Sequence, residues 1–230
     1  MCKLENRRPI RSFVRREGRM TDAQRRALDE LWPHYGVDLG EGELDFVAVL
    51  GRSAPVIMEI GFGNGESLVQ MALAQPGNNY LGVEVHRPGI GRMLGRIKEL
   101  GLNNLKVVCG DATEVLKTHV AKDALDGVHI FFPDPWPKKR HHKRRLLQAN
   151  FIRLVERALK PGGRLHIATD WQEYADHIVE LMASIQGFEN VAGKEIYSPR
   201  PDYRPLTKYE ARGERLGHAV HDIVFKKRGE

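Results

Sequence analysis

From Pro55 onward, short apolar runs alternate with longer stretches whose apolar residues recur every three or four positions, which leaves few folds open. Residues 56–60, 79–85, 105–109, 127–132 and 164–169 read as strands. Residues 66–74, 146–159 and 172–185 read as helices, as does a stretch with apolar residues at Ile90, Met93, Leu94, Ile97 and Leu100 and Pro88 in its first turn. Further strands are expected at 189–194 and 219–227. Strands separated by helices of this length pair in parallel and carry helices on both faces. The expected fold class is α/β: a Rossmann-like, doubly wound, mostly parallel sheet of seven strands with an antiparallel last strand and a basic N-terminal extension. Thr21-Asp22 can cap a helix that Pro33 ends, residues 34–54 read as an irregular connection, and Lys160-Pro161-Gly162-Gly163 stops the 146–159 helix. The division expected is a basic arm and helix over 1–50 and one domain over 51–230.

Three acids fall where successive strands should end. Glu59 precedes the loop Gly61-Phe62-Gly63-Asn64-Gly65, Glu84 closes the second strand, and Asp111 follows the third. Ligands of open α/β sheets bind outside the carboxyl ends of the strands, so these acids suit a ligand carrying hydroxyls and positive charge. The glycines let backbone approach a ligand closely. The dinucleotide pattern G-x-G-x-x-G fails, because its sixth position from Gly61 is Glu66. A fourth acid, Asp134, lies in Pro133-Asp134-Pro135-Trp136-Pro137, where prolines on both sides restrict its backbone. A proline cluster can also simply end a strand, but that role does not need an acid.

Charge is concentrated. The chain carries a net +6; residues 1–26 hold nine Lys/Arg against three acids, and residues 138–145 hold six Lys/Arg and no acid, so the rest carries −6. Two basic patches on an acidic body fit a phosphate-bearing partner. Lys138 through Arg145 follow the Asp134 loop directly, and Arg140, His141, His142, Lys143, Arg144 and Arg145 are expected to contact RNA. Two cysteines, Cys2 and Cys109, the latter within an expected buried strand, offer no disulfide framework, which points to a reducing cytosol. No apolar run is long enough to span a membrane. His141 and His142 are adjacent on an expected loop, and His218 and His221 would face opposite sides of a strand, so no metal is assigned.

The pattern Glu-x-Gly-x-Gly-x-Gly over 59–65 resembles the class I methyltransferases that bind S-adenosylmethionine. That resemblance implies Glu84 at the ribose, Asp111 at the adenine edge, and Glu59, Gly61 and Gly63 near the methionine part. Pro133-Asp134-Pro135-Trp136-Pro137-Lys138 followed by His142-Lys143-Arg144-Arg145, Ala168-Thr169-Asp170-Trp171, and Arg204 through Gly213 are similar to the tRNA (guanine-N7)-methyltransferase family of the bacterial single-subunit type. The likeness covers residues 55–226. It implies methylation of guanosine N7 in the variable loop of tRNA, with Asp134 catalytic and also at the cofactor. It gives Lys138, Asp170, Thr207, Lys208, Tyr209 and Glu210 to substrate binding. It further implies a cytoplasmic enzyme, monomer or homodimer, without an obligatory protein partner. Asp170 precedes a helix and could instead be a cap. Three other readings stand beside this one: a methyltransferase for another RNA base, a nicotinamide-dependent oxidoreductase, and a non-catalytic RNA-binding module.

Overall fold

In the computed structural model, which describes residues 20–193, 196–206, 210 and 219–229, the apolar runs pair into one sheet of eight strands. The strands are β1 (Gly36–Val37), β2 (Val56–Ile60), β3 (Asn79–Glu84), β4 (Leu105–Cys109), β5 (Leu125–Phe131), β6 (Leu159–Thr169), β7 (Phe188–Asn190) and β8 (His221–Lys227). Their order is β1-β4-β3-β2-β5-β6-β8-β7. All neighbours from β1 to β6 pair in parallel, and β8 runs antiparallel to both β6 and β7. The order reverses between β2 and β5, and such a switch point opens a crevice at the strand ends.

The helices are α1 (Asp22–Tyr35), α2 (Phe46–Leu50), α3 (Glu66–Ala74), α4 (Arg87–Leu100), α5 (Ala112–Thr118), α6 (Ala149–Ala158) and α7 (Gln172–Ala183). Alternate residues of each strand face opposite sides. Met58, Leu81, Val108, Val128 and Ile167 pack with α5, α6 and α7, through side chains such as Leu116, Phe151, Val155 and Ile178. Tyr80, Val107, Phe131 and Ala168 pack with α1, α3 and α4, through Leu28, Leu68, Ile90 and Met93. Both faces of the sheet are therefore covered, which is why the central strands are continuous apolar runs.

The structure departs from the sequence reading at several short features. Helix α1 runs through Pro33 to Tyr35; a proline removes a single helical bond, and beyond it the chain is held by Trp32 Nε1 donating to Asp38 Oδ1 at 2.8 Å and Lys106 Nζ to the His34 carbonyl at 2.5 Å. The next two residues add the eighth strand at the edge of β4. From Asp22 onward the N-terminal segment is thus packed into the domain. Helices α2 and α5, five and seven residues long, are set by their caps: Asp45 accepts from Val47 N and Ala48 N, and Asp111 from Thr113 N. Strand β6 begins at Leu159 and absorbs Lys160-Pro161-Gly162-Gly163 as an irregularity, with Gly162 at φ 80°. Cys109 lies at the exposed end of β4 rather than in the core.

Candidate active site

The parallel register brings the carboxyl ends of β2, β3, β4 and β5 to one edge, where they surround a cavity of about 260 Å³. Gly61, Glu84, Asp111, Phe131, Asp134 and Trp136 are among the residues lining it. Four residues singled out in the sequence on separate strand ends thus share one wall.

The glycine loop is fixed by its own backbone and by Glu84. Gly61, Gly63 and Gly65 have φ of 74°, 59° and 75°, a region that other residues enter only with strain. Glu84 Oε2 accepts from Gly63 N at 2.9 Å, and Oε1 from Val85 N at 2.7 Å and His86 N at 2.9 Å. Helix α4 begins against this loop: a Cβ on Gly89 would stand 2.1 Å from the Gly63 carbonyl oxygen. A Cβ on Gly61 or Gly63 would meet nothing within 4 Å, so the loop presents bare backbone to open space.

Glu59 does not line the cavity. It is 3% exposed, its Oε2 has no partner among the described residues, and its register neighbours are Gly82 and His129. Burial, and secondarily the charge of Glu84, push its carboxyl up to about 8, so at neutral pH it is a protonated acid. Asp111 uses Oδ1 to cap α5, accepting from Thr113 N at 2.9 Å, and turns toward the cavity as the end of β4.

Asp134 is the exposed acid of the group, and no hydrogen bond holds it among the described residues. Its backbone is held instead. Phe132 at φ 50° and Trp136 at φ 46° are left-handed, and they bracket the Pro-Asp-Pro segment. Non-glycine residues in that region store on the order of 1–3 kcal/mol each and persist only where surroundings enforce them. Phe132 N is tied to the Ala168 carbonyl at 2.7 Å. The Trp136 ring is flanked by the Arg144 guanidinium at 5.1 Å and the edge of His141 at 5.8 Å, while its buried Nε1 has no partner among the described residues.

The basic segment expected as an extended loop forms a 3-10 helix over Lys139–Arg144. Lys138, Lys139, Arg140 and Lys143 are exposed, and His141, His142 and Arg144 half-buried. Arg145 is a correction to the sequence reading. Its side chain is buried: Nε donates to the Pro135 carbonyl at 2.9 Å, the two terminal nitrogens to Glu173 at 3.2 and 2.5 Å, and the guanidinium lies 4.7 Å from the Tyr174 ring centre. With its donors taken up inside the protein, Arg145 anchors the segment to α7 and is not a free phosphate contact.

Asp170 is exposed at the end of β6 and caps nothing; the hydroxyl of Thr169 accepts from Trp171 N at 3.2 Å, and α7 has no side-chain cap. Thr207, Lys208 and Tyr209 lie outside the described residues. Glu210 is 3% exposed, and Arg204 donates to its two oxygens at 2.7 and 2.6 Å. The sequence reading missed this ion pair and its partners Asp222 and His166; a carboxylate inside the apolar strand 221–227 was the available signal. Among the described residues no cluster of His, Cys, Asp and Glu could hold a metal, and no helix is long and apolar enough to cross a membrane.

Residues 53–223 match the model of a family described as "Putative methyltransferase". The chain is 56% identical over 220 residues to a tRNA (guanine-N(7)-)-methyltransferase of Nitrosococcus oceani, covering 96% of this chain and 92% of the relative. Proteins of the same name from Alcanivorax borkumensis and Klebsiella pneumoniae are 52% and 53% identical over 96% and 97% of this chain and 92% and 95% of their own lengths. Among solved structures, the 16S rRNA methyltransferase KamB superposes with a TM-score of 0.57 at 13% identity, covering 83% of this chain and 96% of that one. An rRNA methylase from Streptococcus thermophilus does so at 0.52 and 15%, covering 80% and 93%. At such identities the structural likeness concerns the fold.

Proposed function

The chain belongs to the tRNA (guanine-N7)-methyltransferase family, and on that footing we propose how its residues carry out the reaction. The protein transfers the methyl group of S-adenosylmethionine to N7 of a guanosine in tRNA. The observation that carries the site assignment is the convergence of Glu84, Asp111 and Asp134 on one cavity, with the exposed cations of 138–144 directly beyond Asp134.

The residues present fit the cofactor. The bare backbone at Gly61 and Gly63 admits a close ligand, and Glu84 and Asp111 offer carboxylate oxygens to hydroxyl and amino donors. When bound, S-adenosylmethionine supplies an electrophilic methyl on a positively charged sulfur. Glu59, neutral in its buried setting, can ionise when a cation comes near, so it is a reserve of negative charge beneath the loop.

Guanine N7 carries an in-plane lone pair and no proton, so no general base is needed for attack. The methylated ring is cationic. Orientation and a fixed negative charge are then the main contributions available to the protein. Asp134 provides that charge from a backbone held by two prolines and two left-handed residues. Guanine's N1–H and exocyclic amine form a donor edge to which a carboxylate can pair at two points, and Asp134 and Asp170 are the exposed carboxylates at the ends of β5 and β6. Lys138, Lys139, Arg140 and Lys143 position the tRNA through its phosphates without reading sequence. Thr207, Lys208 and Tyr209 complete the substrate contacts in this reading, the variable loop is the address, and the cytoplasm is the compartment.

The test is direct. Purified protein, unmodified bulk tRNA and methyl-labelled S-adenosylmethionine are incubated, and nucleosides from the digested RNA are separated. Label is expected in 7-methylguanosine; label in another nucleoside would overturn the assignment of the acceptor.

A further inference from the structure

A buried charged cluster lies behind the active-site wall on the α1/α3/α4 face of the sheet. Asp222, on β8, is 3% exposed and stands opposite Ala168 of β6, which in turn stands opposite Phe131 of β5. Arg204 is 2% exposed. Its Nε donates to Asp222 Oδ1 at 2.6 Å and one terminal nitrogen to Oδ2 at 2.8 Å, while the remaining donors reach Glu210 at 2.7 and 2.6 Å. A guanidinium held at both ends by carboxylates has a fixed plane and position.

Two more groups brace Asp222 and Arg204. His166, fully buried, donates from Nε2 to Asp222 Oδ1 at 2.7 Å, and the Tyr203 hydroxyl donates to its Nδ1 at 2.9 Å. Burial, the larger influence, lowers the His166 pKa against the pull of Asp222, consistent with a neutral ring of one tautomer. Tyr203 in turn stacks on His129 at 5.3 Å, and His129 on Phe131 at 5.2 Å.

The fixed guanidinium faces the catalytic loop. Its central carbon is 5.9 Å from the ring centres of both Phe131 and Phe132. Both residues line the cavity, and Phe132 is the left-handed residue from which Pro133 and Asp134 depart. A left-handed phenylalanine relaxes unless its ring is held, and the Arg204 guanidinium stands over that ring.

We propose that Arg204 is a positioning residue for methyl transfer: clamped between Asp222 and Glu210, it braces Phe131 and Phe132 from behind and so sets where Asp134 stands. In this role Glu210 acts through Arg204, and Asp222 is the anchor that ties the catalytic loop to the antiparallel strand. The inference rests on the methyltransferase reading above.

The experiment uses the full chain, with wild-type methyl transfer to tRNA measured first; failure there would concern the reaction and not Arg204. Arg204→Lys keeps a cation but loses the fork. Its kcat is expected to fall by about 10- to 100-fold, the scale of misplacing a reacting group by about an ångström. Its dissociation constant for S-adenosylmethionine, measured by calorimetry, is expected to stay within about threefold, because Glu84, Asp111 and the glycine loop are untouched. The deciding measurement is a double-mutant cycle with Asp134→Asn. If Arg204 acts through Asp134, adding Arg204→Lys to Asp134→Asn lowers kcat by less than about twofold. A merely stabilising ion pair predicts otherwise: unchanged kcat per folded molecule, or the full loss repeated in the double variant. Either result overturns the proposal. Should Arg204→Lys not fold, Asp222→Asn, which preserves shape and removes the anchor's charge, takes its place in the same cycle with the same expectations.

Discussion

Replacing Glu59 by Gln should stabilise this protein, and by an amount that depends on pH. The carboxyl is 3% exposed, lacks a partner at Oε2 among the described residues, and is raised from 4.5 to about 8. An acid with a raised folded pKa holds its proton in the folded chain while the unfolded chain releases it. Stability is therefore undiminished below pH 4.5, falls as pH rises toward 8, and is constant beyond that. Each pH unit inside that window costs about 1.4 kcal/mol, so near pH 7 the deficit is about 3 kcal/mol. Gln has the same shape as the protonated acid and also carries a donor, and it cannot ionise. Denaturant unfolding of both proteins from pH 5 to pH 8 checks this. The difference in unfolding free energy should be small at pH 5 and grow to about 3 kcal/mol at pH 7. A difference that stays flat across this range would refute the argument. The same substitution should weaken S-adenosylmethionine binding about tenfold or more, because the group that could ionise beside a cation is gone.

Other predictions address separate parts of the site. Asp134→Asn should leave the melting temperature unchanged, since the side chain makes no hydrogen bond among the described residues, and lower kcat on the order of 100-fold in the label-transfer assay; near-normal turnover would sink the charge argument. Lys139→Ala with Arg140→Ala should reduce the slope of log affinity for tRNA against log salt by about 1–2, measured by filter binding, with little change in unfolding free energy. Arg145→Ala should do the reverse, keeping the salt slope and lowering stability by roughly 2–3 kcal/mol in denaturant unfolding. Gly89→Ala pushes a methyl into the Gly63 carbonyl, so calorimetry should show cofactor affinity reduced at least about tenfold, with no residue at the cavity itself changed.

The long elements were legible because their signals are redundant. Strands β2 and β4 and helix α3 begin and end where the apolar runs and glycines said they would. The acids at the ends of β3, β4 and β5 could be aligned because parallel pairing forces strand ends into one plane. Short elements were not legible: α5 has too few turns to show a period, and its cap, Asp111, had already been read for a ligand. The sequence also could not separate Arg145 from the cations before it, since a run of like charges has no register until the backbone curls. The 3-10 turn directs Arg145 inward to Glu173 and leaves Lys139 and Arg140 outside. The clamp on Arg204 joins residues on three segments, and proximity of that kind leaves no local pattern.

The loop over 132–136 has a consequence for transplanting this chemistry. Its two left-handed residues are not glycines, so the conformation is imposed from outside by Arg144 and His141 around Trp136, by Arg204 behind Phe132, and by the Ala168 carbonyl. Grafted alone onto another sheet, the five-residue sequence would collapse into ordinary extended backbone and swing its acid away. Whoever wishes to move the acid must move the 3-10 turn and the β6–β8 edge with it, because its geometry is written in those neighbours and not in the loop.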